Sequence, residues 1–164
     1  MNRVLGLLAA LMIAAPVHAH GVTQGEIEII HPNIPQPAAT AQAAGGYMGV
    51  SNNGPNADRL IGVETPAAKS AMLHESSVGA DGVAKMSHVE GIDLPAGETV
   101  VLEPGGYHIM LMGLTKPLTE GEMVPATLIF EHAGRIEMEF MVDPPGGMDH
   151  STMDHSAMGH SVGD

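Results

Sequence analysis

Turn-forming clusters cut this chain into short segments and leave little room for long helices. Asn52-Asn53-Gly54-Pro55, Gly79-Ala80-Asp81-Gly82, Glu103-Pro104-Gly105-Gly106 and His132-Ala133-Gly134 each gather residues that favour tight or left-handed turns. Between such clusters the chain reads as strands. Residues 23–30 alternate polar and apolar through Glu26, Ile27, Glu28 and Ile29, the period of a half-buried strand. Further strands are expected over 42–52, 58–64, 99–102 and 107–114. Two hairpins are expected, 71–78 with 83–89 across Asp81-Gly82, and 124–131 with 135–142 across Gly134. Residues 31–37 hold Pro32, Pro35 and Pro37 and read as a loop. Helical periodicity is hard to find. The pattern implies an all-β sandwich. With 2 Phe, 2 Tyr and no Trp, its core must come from Val, Ile, Leu, Ala and some Met.

The two ends differ from this domain. Residues 1–19 read as a secretory leader: Arg3 gives a positive start, Val4 to Ala15 is apolar but too short to span a bilayer, and Val17-His18-Ala19 offers a small-residue cleavage site. Cleavage there starts the mature chain at His20 and predicts a periplasmic protein. A membrane anchor fits less well, because polar residues follow at once without a basic stop. The domain is expected to span 20–143. Residues 144–164 are almost devoid of aliphatic side chains, and such a segment does not offset its chain entropy by burial, so a flexible tail is expected.

Composition excludes several functions. There is no Cys, which removes disulfides, zinc–thiolate sites, iron–sulfur clusters, thiol catalysis and a blue-copper thiolate. The formal charge of −13 argues against nucleic-acid binding. What stands out instead is 13 Met beside 10 His. Thioether and imidazole together suit copper, thioether especially Cu(I).

These residues cluster in two places. The tail reads in fives, with Met148, Met153 and Met158 each followed two residues later by His150, His155 and His160. That repeat is a candidate second copper site, its imidazoles and carboxylates suiting Cu(II); a solvated tail without function is the plainer alternative. Within the domain, His74, Met86, His108 and Met110 form the sharper candidate. His108 and Met110 share one face of a strand, with Ile109 and Leu111 turned to the core. The hairpin brings the strands of His74 and Met86 together. Met also fills gaps in cores, and a lone His is often a surface residue, so spacing alone leaves ordinary packing open. Met48, Met72, Met123, Met138 and Met141 read as mostly core, and His31, His88 and His132 as surface. A free amino group on His20 would offer a Cu(II) brace of amine and imidazole.

The spacing also resembles a known family. His74, eleven residues, Met86, twenty-one residues, then His108-Ile109-Met110 is similar to the H(M)-x10-M-x21-H-x-M signature of the PCuAC periplasmic copper chaperones. Asp58-Arg59-Leu60, Leu94-Pro95-Ala96-Gly97, Leu102-Glu103-Pro104-Gly105-Gly106 and His108-Ile109-Met110-Leu111-Met112-Gly113-Leu114 resemble blocks of that family, over roughly residues 23–142. Glu75 stands where the family often has Met. The resemblance implies a cupredoxin-like, Greek-key β-sandwich that binds Cu(I) through His74, Met86, His108 and Met110. It further implies delivery of copper to the CuA centre of cytochrome c oxidase, sometimes beside a Sco-type protein. A periplasmic copper buffer, and a copper enzyme using the His20 brace, are the competing expectations.

Overall fold

The computed structural model describes residues 21–79 and 82–145. The leader, His20 and the tail pentads lie outside the described residues. The described chain is all β: β1 (Gly21–Gln24), β2 (Ile27–Pro35), β3 (Ala43–Asn52), β4 (Asp58–Glu64), β5 (Ala68–Val78), β6 (Ala84–His88), β7 (Ile92–Leu94), β8 (Thr99–Leu102), β9 (Tyr107–Leu114), β10 (Met123–Phe130) and β11 (Arg135–Asp143). Strand order runs β6-β5-β9-β3-β2-β11-β10-β4-β7, with β1 on β2 and β8 on β3. Among the described residues, only β11 and β2 pair in parallel. The repeated non-sequential neighbours mean that the chain crosses over rather than meandering, as expected for a Greek-key sandwich.

The long strand β3 joins the two halves of this arrangement. Its first residues pair with β9, while Met48 to Ser51 pair with β8. The inward faces of both halves close over one apolar core. Ile29, Leu60, Leu73, Leu102, Ile109, Leu111, Leu128, Ile136 and Phe140 are among its fully or nearly fully buried members. Met48 and Met138 belong to it, as expected, whereas Met72, Met123 and Met141 are only half-buried. Gly46 has a packing reason: a Cβ there would sit 3.0 Å from the Phe140 ring.

Both expected hairpins form, β5 with β6 and β10 with β11. Asp58 braces the second. Its carboxylate accepts the backbone N–H groups of His132 (2.9 Å) and Ala133 (2.8 Å) at the turn. Two expectations need correction. Residues 31–37 are not simply a loop, because β2 continues to Pro35. His31 adopts φ +46°, and the β2–β3 register shifts between Ile30 and Asn33, so a bulge absorbs Pro32. Pro35 ends the strand against Asp143, a position where the missing N–H costs little. Residues 23–30 are likewise not one strand. Gly25 at φ +61° makes a tight turn with Glu26, and β1 folds back so that Gln24 opposes Ile27.

Candidate metal centre

The register of β6, β5 and β9 decides which side chains share a face. His74 on β5 lies directly opposite His108 on β9 and His88 on β6. Met72 opposes Met110, and Ser76 opposes Met86. Cross-strand partners and residues two apart project to the same side of a sheet. His74, Met86, His108 and Met110 therefore stand on one face, away from the core that takes Leu73, Ile109 and Leu111. His74 is the centre: His108 is its direct neighbour, and Met86 and Met110 are its diagonal neighbours, within reach of long flexible side chains.

Exposure is graded across the group. His108 is only 4% exposed, His74 and Met110 are half-buried, and Met86 on the edge strand is 54% exposed. His108 points away from the core, as alternation predicts, yet neighbours on the face bury it. Tyr47 is one of them, its ring centroid 6.4 Å away. Burial raises the Tyr47 phenol above its ordinary pKa, so it stays neutral. Gly45, opposite Met110, helps make the room, for a Cβ there would come within 2.6 Å of the Tyr47 hydroxyl.

The hydrogen bonds prepare these rings as ligands. The Glu103–Gly106 turn, with Gly105 at φ +89°, presents the Gly106 carbonyl to the backbone N–H of Ser76 and to Nδ1 of His108 (3.1 Å). An Nδ1–H that donates to that carbonyl leaves Nε2 of His108 with a free lone pair. His88 repeats the device, its Nδ1 lying 3.1 Å from the Leu73 carbonyl. His74 is different. Its Nδ1 is buried and has no hydrogen-bond partner. Buried polar nitrogens are normally satisfied, so an orphan between two other rings marks a place prepared for something else. Burial pushes the His74 pKa below 6.5, and the charges that His108 and His88 carry when protonated push it the same way. His74 is therefore neutral near pH 7, as a metal ligand must be.

Ring centroids of His74 and His108 are 5.8 Å apart, and those of His74 and His88 are 5.9 Å apart in an edge-on arrangement. Among the described residues, no three His, Cys, Asp or Glu side chains are gathered into an ion cage as they stand. A soft ion on this face would therefore draw on methionine sulfur. The face is a surface patch: the 760 Å³ cleft lined by Val22, Glu64, Pro125 and Glu139 includes none of the four residues.

Of the three histidines read as surface, His132 is exposed at the β10–β11 turn. His31 is partly buried, its Nε2 3.6 Å from the buried Asp143 carboxylate. His88 is exposed but stands in the row with His74, and Met72 stands beside Met110 rather than in the core. Sequence reading passed over both. The signal was available for His88, since His74 and His88 are equidistant from position 81, the middle of the expected turn.

Solved structures share this fold. A copper-bound PCuAC domain from PmoF2 superimposes with a TM-score of 0.67 at 31% identity, over 77% of this chain and 99% of that one. The Cu(I) form of DR1885 from Deinococcus radiodurans matches with a TM-score of 0.56 at 30% identity, over 68% of this chain and 74% of that one. A curated relative from Leifsonia xyli subsp. xyli (strain CTCB07), "Putative lipoprotein Lxx21020", is 39% identical over 94 residues. That match takes in 57% of this chain and spans only 56% of the relative's length. The family model described as "Putative lipoprotein LpqE-like" matches residues 27–142, which contain all four residues of the candidate centre. The chain belongs to this LpqE-like family, the family of the PCuAC domains.

Proposed function

We propose that this protein is a periplasmic copper metallochaperone that holds Cu(I) through His74, Met86, His108 and Met110. The observation that carries the reading is the orphaned Nδ1 of His74 on a face that also gathers a second imidazole and two thioethers. Two imidazoles and two thioethers make a neutral, soft donor set suited to Cu(I). No thiolate is involved, so the set survives an oxidising compartment. The Cu(I) form of DR1885 supports the same cargo, and the copper-bound PmoF2 domain supports copper as the metal. The graded exposure suits transfer. An acceptor ligand attacks from the side of Met86, the most exposed of the four, while buried His108 keeps its hold until late.

The acceptor in this reading is an oxidase CuA centre, with a Sco-type protein as co-worker, and the excess of acidic residues favours docking on a basic surface. The protein acts as a carrier and not as an enzyme. The leader directs it to the periplasm. These 164 residues contain no cysteine, so they offer no thiol for a lipid anchor. The tail residues Met148, His150, Met153, His155, Met158 and His160 serve as a second site preferring Cu(II). That repeat also favours a second reading, a copper buffer without a dedicated acceptor.

Cu(I) titration against a competing chelator tests the site. Met86→Ala and His108→Ala should each weaken one tight site, and unchanged affinity would refute the assignment. Truncation after Gly147 should remove the tail's Cu(II) equivalents and leave Cu(I) binding. Mixing the Cu(I)-loaded protein with an apo CuA domain separates chaperone from buffer, since only a chaperone transfers faster than the free chelated metal does.

A further inference from the structure

We infer that His88 completes a second, overlapping ligand set: His88, His74 and His108 form a row of three imidazoles that holds Cu(II) on the same face. The inference rests on the copper reading above and extends it to a second oxidation state. The three residues oppose one another directly across β6, β5 and β9. Imidazoles bound at about 2 Å to one tetrahedral or square-planar ion have ring centroids about 4.5–6 Å apart. The two neighbouring spacings in the row, 5.9 and 5.8 Å, lie within that range.

The available nitrogens fit the span. His88 and His108 sit on the strands flanking β5, so their Cα atoms are about 10 Å apart. The outer rings need their longer reach, through Nε2, and the middle ring needs its shorter reach, through Nδ1. That is the set the hydrogen bonds leave free. Nδ1 of His88 lies against the Leu73 carbonyl and Nδ1 of His108 against the Gly106 carbonyl, while Nδ1 of His74 is the buried nitrogen without a partner. The three rings form no cage as they stand. Closing the set requires the His88 side chain to swing inward, and because β6 is exposed along its whole length that movement leaves the core packing intact.

The two sets share His74 and His108 and differ in what completes them. Sulfur from Met86 and Met110 completes the Cu(I) set, and the borderline imidazole of His88 completes the Cu(II) set. Copper of either oxidation state thus stays on one face of the domain.

The test uses the full chain with His20, His150, His155 and His160 replaced by Gln, so that only the domain offers histidines in number. Cu(II) added alone should show three coordinated imidazoles by pulsed electron paramagnetic resonance. His88→Gln should reduce the count to two and weaken Cu(II) about tenfold or more, with Cu(I) affinity changed less than about twofold. Met86→Ala should do the reverse. A count of two in the parent chain, an unchanged count in His88→Gln, or equal loss of both oxidation states would overturn the inference. Absence of Cu(I) binding in the parent would instead overturn the copper reading beneath it. Circular dichroism of His88→Gln should match the parent, because the residue lies on an exposed edge strand.

Discussion

Replacing His74 with Leu should make the copper-free protein more stable. The native ring keeps Nδ1 buried without a partner. An unsatisfied buried polar group costs about 1–3 kcal/mol, and the half-buried position of the ring puts His74 toward the low end. Leu has similar bulk, packs beside Met72 and Met110, and carries no group to desolvate. The expected gain at pH 7.5 is about 1 kcal/mol, read as a higher urea midpoint at unchanged m-value.

The gain should widen in acid. The folded pKa of His74 lies below 6.5, chiefly through burial and then through His108 and His88. Below pH 6.5 the unfolded chain therefore binds more protons at this residue than the folded one. Wild-type stability falls as pH drops through 6.5 toward the folded pKa, and the Leu variant lacks that loss. Copper should reverse the ranking. Free Cu(I) at 100 times Kd stabilises the wild type by about 2.7 kcal/mol and leaves a variant without the central ligand almost unchanged. A variant less stable than wild type without copper, or a gap that stays constant between pH 7.5 and 5.5, would refute the idea that His74 is held at a cost to the fold.

Asp58→Ala should cost about 2–3 kcal/mol in urea unfolding, because the carboxylate accepts two N–H groups at the β10–β11 turn and a third from Arg59. Burial pushes its pKa up, but the hydrogen bonds from His132, Arg59 and Ala133, with the charge of His132, outweigh that and hold it below 3.8. Its contribution is thus full above pH 3.8 and lost as pH falls through the folded pKa, so the variant should show a shallower acid limb. Gly45→Ala should destabilise by about 1–3 kcal/mol through overpacking against Tyr47. Much of that loss should return in a Tyr47→Phe background, measured by thermal unfolding, since the hydroxyl is the closest atom. Met86→Ala should leave the urea midpoint almost unmoved while weakening Cu(I), because an exposed side chain contributes little packing.

The hairpins were legible because their information is local. Turn residues fix where the chain reverses, and alternation then assigns faces, which is why Ile109 and Leu111 could be sent to the core and His108 and Met110 away from it. The β2 bulge was not legible in that way. Three prolines within seven residues argue for a loop unless a parallel partner waits for the strand, and that partner, β11, lies a hundred residues further on. Likewise Gly25 gave no clear warning that β1 would fold back, since the alternation of residues 23–30 reads through the turn.

The centre shows the same divide between local and distant information, with a sharper consequence. Face membership follows from alternation, but burial depends on what stands beside the face. Tyr47 and the row of histidines cover His108, so a residue that alternation places outside is almost as inaccessible as the core. Neighbours matter in the other direction for Met72 and His88. A Met on a strand suits a core, and a His on an exposed strand suits solvent, and nothing in either residue's own segment contradicts that. Only register makes Met72 the partner of Met110 and His88 the partner of His74. A four-residue spacing pattern therefore captures part of a larger donor surface. The extra donors come from strands that pair correctly only once both the hairpin and the β5–β9 crossover are in place.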